Sequence, residues 1–331
     1  FLRPLADLDL ALEVSNQKVG QLVNNTLQNN LQHHIEDCVV RERAMYIGDG
    51  LAVSECLPNT EKNNHYIKAM IEQFAFSQQD SGIIPSMTPS GKEQYIPGYT
   101  LQWLIWLNNY YQRTKDSQFF QEMKPHLIGV LNWAESNESE SGFIYNKHKK
   151  DWWNFISWDR IDHHLAYSTG LQIWYYQALK SVSELNSQLE VTDNYQKKAE
   201  KLKNNLNKYA FQGQCFADSF SLTQTSNQGL AVNALAGKYD LFENQKLSRE
   251  CFNRFYPHQT YPNSAYALDW VIDWAKKIDH QKAVSIGVGY FNEMIAQGAT
   301  SIWEIYDPYT DEFKGSRSHA WGCGVIDVFN N

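Results

Sequence analysis

The chain has 331 residues, 43% of them hydrophobic and 20% charged, a balance that fits a globular fold and excludes disorder or a fibre. Its 29 basic and 37 acidic side chains give a net charge of −8, with no cation run longer than Lys147–Lys150, so a phosphate-tracking surface for nucleic acid is excluded. No apolar run approaches the ~20 residues of a membrane span, and 11 Trp, 19 Tyr and 16 Phe supply flat rings of the kind that polar ring-shaped ligands stack on.

Phe1-Leu2-Arg3-Pro4 is not a secretory signal, and a start without Met reads as a processed or excised piece whose compartment stays open. Residues 1–13 read as a lead segment and 14–331 as one domain, because no Pro/Ser linker or composition shift divides them. Apolar residues then recur at three- and four-residue steps. The pattern begins with Val19, Leu22, Val23, Leu27 and Leu31. It returns in Tyr66–Phe76, Leu101–Tyr111, Phe119–Trp133, Leu171–Leu185, Tyr195–Tyr209, Gly229–Leu235, Ala265–Trp274 and Ala283–Ile295.

Irregular stretches rich in Gly, Pro, Asn and aromatics separate these segments, at 80–98, 136–163, 211–223, 256–264 and 298–318. The pattern is all-α, and about twelve helices of about 25 residues each, turns included, fill the length. An (α/α)6 barrel fits that count, and a helical solenoid does not, since no fixed repeat period is present.

Five cysteines (Cys38, Cys56, Cys215, Cys251, Cys323), widely spaced and without CxxC, read as isolated buried thiols. His33-His34 and His163-His164 lack metal spacing, and no organic cofactor or metal site is legible.

Three segments carry chemistry. Asp37–Gly50 packs three carboxylates and two arginines into a stretch whose Gly48-Asp49-Gly50 ending predicts a turn. As a solvated loop it would hold only surface ion pairs. Glu304 sits in an apolar, aromatic run, Gly298–Pro308, an expensive place for a charge unless it is paired or used. His319 precedes Ala320-Trp321-Gly322, where a hydrogen-bonded core histidine is the commoner outcome. Two carboxylates on separate loops facing one cleft are what glycoside hydrolysis requires.

The Asp37-Cys38-x-x-Arg41-Glu42-Arg43 run followed by Gly48-Asp49 resembles the signature of the glycoside hydrolase family 78 α-L-rhamnosidases. Further matching segments follow in family order: Gly82–Pro85, the helix at Trp103 with Tyr110-Tyr111, the Trp-rich loop 151–159, Gln224–Asn227, Gly298–Glu304 and Ser318–Gly322.

The resemblance implies an (α/α)6 barrel and inverting hydrolysis of a terminal α-L-rhamnoside. Glu42 would be the general acid and Glu304 the base that activates water, with no cofactor. It implies sugar contacts from Asp37, Asp49, Arg41 and His319, and sugar-facing rings from Tyr46, Trp103, Trp153, Trp158 and Trp303. The partner is a carbohydrate. Family members usually add β-sandwich domains around the barrel, so missing flanks or a homodimer would cover its outer faces.

Arg41 and Arg43 beside Glu42 would depress its pKa, so Arg43 is expected to pair with a structural carboxylate and Glu42 to lie nearest Asp37 or Asp49. Val39 and Tyr46 stand where the family commonly has Pro and Trp, which bears on which sugar is bound. Two other classes are weighed. One is a glycosidase or lyase for another deoxy- or uronic sugar, a lyase recruiting His319 with Tyr306 or Tyr309. The other is a carbohydrate-binding barrel without turnover.

Overall fold

The computed structural model describes residues 8, 16–91, 93–147, 152–185, 194–258, 261–307 and 312–328. The lead segment 1–13 therefore lies, apart from Leu8, outside the described residues. The described helices are α1 (Gln17–Asn30), α2 (Ile47–Cys56), α3 (Glu61–Phe76), α4 (Pro97–Thr114), α5 (Ser117–Ser136), α6 (Thr169–Glu184), α7 (Tyr195–Tyr209), α8 (Leu230–Lys238), α9 (Gln245–Phe255), α10 (Ala265–Ile278) and α11 (His280–Ala296). A 3₁₀ helix, Ala320–Val328, closes the series.

Side-chain caps set most of the starts. Asn16, Thr60, Asp116, Ser168, Asn194, Asn244, Ser264 and Asp279 each accept a hydrogen bond from a first-turn N–H. Pro97 opens α4, where a missing N–H costs nothing.

The helices form two rings. α2, α4, α6, α8, α10 and the 3₁₀ helix pack each on the next, and the last returns to α2, closing an inner barrel. α1, α3, α5, α7, α9 and α11 lie outside it. The burial pattern follows from this placement. Every residue of α4 from Pro97 to Asn108 is buried, as expected of an inner helix covered all round, whereas outer α7 buries only Tyr195, Ala199, Leu202 and Leu206 along one stripe.

The ring order makes the connections unequal. Most links from an inner helix to the next outer one are short, as between α4 and α5 or α10 and α11, while most links from outer to inner are long. Those long loops all end at N-termini of inner helices, so they gather at one mouth of the barrel. There the chain adds three small antiparallel pairs: β1 (Tyr167–Ser168) with β4 (Ser219–Phe220), β2 (Phe211–Gln212) with β3 (Cys215–Phe216), and β5 (Ile305–Asp307) with β6 (Glu312–Lys314).

Two sequence expectations are corrected here. Gly48-Asp49-Gly50 is the first turn of α2 and not a loop turn. Its glycines serve packing: a Cβ at Gly48 would stand 2.6 Å from the Tyr99 ring, and one at Gly50 2.3 Å from Trp106, which is tethered by its Nε1–H to Ser54 Oγ at 2.9 Å. Cys215 and Cys251 are not isolated thiols, because the β2–β3 pair lays Cys215 against α9, and they form a disulfide across a Cα–Cα distance of 5.3 Å. Cys38, Cys56 and Cys323 are free and buried.

Candidate active site

A cavity of about 130 Å³ opens at the loop-bearing mouth, lined by residues from the α1–α2, α3–α4, α5–α6 and α11–3₁₀ loops and from the first turns of α2, α4 and the 3₁₀ helix. It brings together Asp37, Arg41, Glu42, Tyr46, Asp49, Trp153, Trp158, Glu304 and His319. Gln94, Ile96, Tyr99, Phe155 and Trp321 complete the wall, none of which the sequence reading selected.

The acid-bearing loop is held from below. Asn30, at the end of α1, donates to the carbonyls of Glu36 (3.1 Å), Asp37 (3.0 Å) and Ser318 (3.3 Å), joining this loop to the one carrying His319. Asp37 and Ala44 close the loop: the backbone N–H of Asp37 donates to Ala44 O, and that of Ala44 donates to Asp37 Oδ1 at 2.8 Å. Arg43, with a left-handed φ of 52°, turns outward and pairs with Glu36 at 3.1 Å, the structural carboxylate the sequence called for.

Arg41 stays in the site. Its Nη2 lies 2.9 Å from both oxygens of Glu304 and 3.5 Å from Glu42 Oε2. Glu304 is almost fully buried, whereas the Glu42 side chain is 42% exposed at the mouth. Trp158 Nε1–H donates to Glu304 Oε1 at 3.1 Å and the Ser316 N–H to Oε2 at 2.7 Å. The β5–β6 register makes the second bond: Ile305 opposite Lys314 brings Glu304 alongside Gly315 and Ser316.

Burial drives the electrostatics. Asp37 is pushed up to about 11, first by desolvation, then by the adjoining Glu42 carboxyl and by Asp49, so Asp37 holds a proton at neutral pH. Asp37 Oδ2 nonetheless has no aligned hydrogen-bond partner among the described residues. Asp49 is raised well above the usual carboxylate range by complete burial and then by Glu304. Burial, reinforced by Arg41, holds His319 neutral. Its Nδ1 lies 3.3 Å from Asp49 Oδ1, but the angle is wrong for a hydrogen bond, and the ring instead sits 3.9 Å from that of Trp321. Asp37, Cys38 and Glu42 have ligand atoms within 4.8 Å of one another, but a protonated Asp37 is a poor cation ligand.

The protonation of Asp37 makes a testable statement about stability. Its folded-state pKa lies above the unfolded value near ~3.9, so the native state keeps a proton that the unfolded chain releases, and stability falls as pH rises from ~4 toward 11. Asp37→Asn keeps an acceptor for the Ala44 N–H and removes the titration. The variant should melt ~2–5 °C above the wild type at pH 8, with the gap closing toward pH 5. Melting curves across that range check it, and a gap independent of pH would refute the assignment.

Two expected sugar-facing rings lie elsewhere. Trp103 is fully buried and its Nε1–H donates to Ile71 O at 3.1 Å. Only the first turn of α4 reaches the mouth, and Trp103 is nearly two turns down, so Tyr99 takes the place expected for it. Trp303 precedes Glu304 on chain leading into β5, where neighbours point to opposite sides. It packs edge-on against Tyr306 with Arg317 over its ring at 5.6 Å. Tyr306 is buried outside the cavity lining, and Tyr309 lies outside the described residues.

A closed double ring of helices with paired acids at its loop-bearing mouth defines a six-hairpin glycosidase fold. The family model for the bacterial alpha-L-rhamnosidase six-hairpin glycosidase domain matches residues 11–257, and the chain belongs to that family. Among solved structures, the rhamnosidase from Klebsiella oxytoca with rhamnose bound superposes with a TM-score of 0.80 at 20% identity, over 98% of this chain and 66% of that one. The family 78 rhamnosidase of Bacillus sp. GL1 gives 0.82 at 16% identity, over 96% and 35%. A family 63 mannosylglycerate hydrolase from Thermus thermophilus gives 0.68 at 10% identity, over 95% and 99%. This chain thus spans about a third of the Bacillus enzyme and two thirds of the Klebsiella one. No curated protein matches the sequence. No described helix is long and apolar enough to cross a membrane.

Proposed function

We propose that this barrel hydrolyses a terminal α-L-rhamnosyl linkage with inversion at the anomeric carbon, Glu42 acting as general acid and Glu304 as the base for water. The observation that carries it is the arrangement of the two carboxyls, brought from distant loops to one cavity and joined through Arg41.

Their surroundings suit opposite tasks. Glu42 adjoins the protonated Asp37 and stands at the open mouth where a leaving oxygen would arrive. Among the described residues the hydrogen-bond partners of Glu304 are the N–H donors of Arg41, Trp158 and Ser316, so its oxygens are held as acceptors, the role a base for water needs. An entering sugar takes over Arg41 and opens the space between the acids. Asp37 and Asp49 bind hydroxyls on the floor, Tyr46, Trp153 and Trp158 form the walls, and His319 is a neutral hydrogen-bonding group. Trp103 and Trp303 are not sugar contacts in this reading.

The shared Nη2 keeps the nearest oxygens of the two acids no farther apart than its two contact distances laid end to end. Retaining pairs stand roughly 5–5.5 Å apart and inverting pairs roughly 6.5–9.5 Å. That ceiling falls close to the boundary, and inversion rests on the likeness to the family.

The test is a panel of aryl glycosides, α-L-rhamnoside first, with the first-formed anomer followed by NMR. Rhamnose released as the β-anomer is expected. Release of the α-anomer overturns inversion, and release of a different sugar alone overturns the substrate.

A further inference from the structure

Once a sugar has taken over Arg41, the base depends on two other donors. Among the described residues these are the Ser316 N–H on Glu304 Oε2 at 2.7 Å and the Trp158 Nε1–H on Oε1 at 3.1 Å. The Ser316 donor is backbone, paired back to the base through the Glu304 N–H and Ser316 O at 2.9 Å. Trp158 is a side chain 37% exposed at the mouth, and the rings of Trp153 and Phe155 beside it come from its own loop.

Asp159 fastens the loop at this point. Its Oδ2 accepts the Ser157 hydroxyl at 2.7 Å and its N–H returns to Ser157 Oγ at 3.3 Å, so the two residues flanking Trp158 are clasped together across it. Oδ1 accepts the backbone N–H of Asn263 at 2.9 Å, which ties the clasp to the segment leading into α10. Asn263 has a second tie. Its carbonyl accepts the Tyr306 N–H at 2.8 Å, two residues beyond Glu304, and the adjoining pair, Ser264 and Ile305, forms an antiparallel bridge. One residue therefore sets the register of both ends of the Trp158–Glu304 hydrogen bond.

We propose that Asp159 is a positioning residue for the reaction, holding Glu304 Oε1 in place through Asn263 and Trp158 after Arg41 has turned to the sugar. The inference rests on the reading of Glu304 as the base and adds what keeps it there. Asp159 does not line the cavity, so it acts through Trp158 and not on the sugar.

The chemistry of the side chain sets the variants. Asp159→Asn keeps an oxygen for the Asn263 N–H, and its amide N–H can donate to Ser157 Oγ, which also accepts. Asp159→Ala keeps neither bond. Ser157→Ala opens the clasp and leaves the Asn263 tie, a milder change should Asp159→Ala fail to fold.

The experiment is a double-variant cycle on kcat, with whichever glycoside the panel shows to be cleaved. Asp159→Ala and Trp158→Phe should each lose about tenfold, roughly what one hydrogen bond to a charged group is worth. Combined they should lose little more than either alone. Asp159→Asn should stay within about twofold of the wild type, and Ser157→Ala should show the same coupling to Trp158→Phe with a smaller loss. Losses that multiply to about a hundredfold overturn the proposal, and so does an Asp159→Ala variant with wild-type kcat.

A second arm needs no turnover. With fluorotryptophan incorporated, the Trp158 fluorine signal is the one that Trp158→Phe removes. Glu304→Gln should shift that signal in the wild-type background and leave it unmoved in Asp159→Ala, where ring and acid are out of register. A shift of equal size in both backgrounds overturns the proposal. Failure to cleave any glycoside would overturn the activity, and the fluorine signals would still decide whether Asp159 sets Trp158 against Glu304.

Discussion

Glu42→Gln is expected to lose about 10²–10⁴-fold in the hydrolysis of an alkyl or phenyl α-L-rhamnoside and to recover most of it on the dinitrophenyl rhamnoside. The dinitrophenolate leaves without a proton, so a missing general acid no longer matters. Glu304→Gln should lose a comparable factor on both substrates, because water must be activated whatever leaves.

The structure adds a reason for the second loss. The Glu304 oxygens face N–H groups of Arg41, Trp158 and Ser316, so an amide in their place sets its own N–H₂ against a donor whichever way it turns. Steady-state kinetics on the two substrates with three proteins checks both roles. An equal loss on both substrates for Glu42→Gln would remove it as the acid, and a Glu304→Gln variant that keeps wild-type rates would remove the base.

Much of this was legible in the sequence because the acid-bearing loop is local. Asp37, Arg41, Glu42, Tyr46 and Asp49 fall within 13 consecutive positions, and the helix count already implied a barrel with its candidate acids on the loops between helices.

What was not legible depends on direction and on tertiary contact. Trp103 and Trp303 sit beside site residues in sequence, but helix depth in one case and strand alternation in the other turn them away. Tyr99, Phe155 and Trp321 reach the cavity by the same rules, and only the packed barrel shows which turn faces the mouth. α2 was hidden by its glycines, which read as a turn until Tyr99 and Trp106 are seen lying on them. α9 escaped notice because it buries only Cys251, Phe252 and Phe255, too short a stripe to register as a period. The Cys215–Cys251 bond spans 36 residues, and spacing alone does not report such a contact.

Gly315→Ala should cost about 10²-fold in kcat, the penalty typical of a reacting group displaced by about 1 Å, although residue 315 makes no chemical contribution of its own. A Cβ there would stand 2.3 Å from Glu304 Oε2, and φ is +81°, a region that penalises any side chain by about 1–2 kcal/mol. Strain and clash are separable. Gly213, in the β2–β3 turn, has φ +69° and nothing within 4 Å of a Cβ, so Gly213→Ala carries the strain alone. Both variants should unfold at lower urea, Gly315→Ala by the larger step because it adds the clash to the strain, but only Gly315→Ala should lose turnover, with KM nearly unchanged because the proposed sugar contacts on the floor are left in place. If Gly315→Ala were as active as Gly213→Ala, the fixed position of Glu304 against the Ser316 N–H could not be what the reaction needs, and the base would have to be sought in a carboxyl free to move.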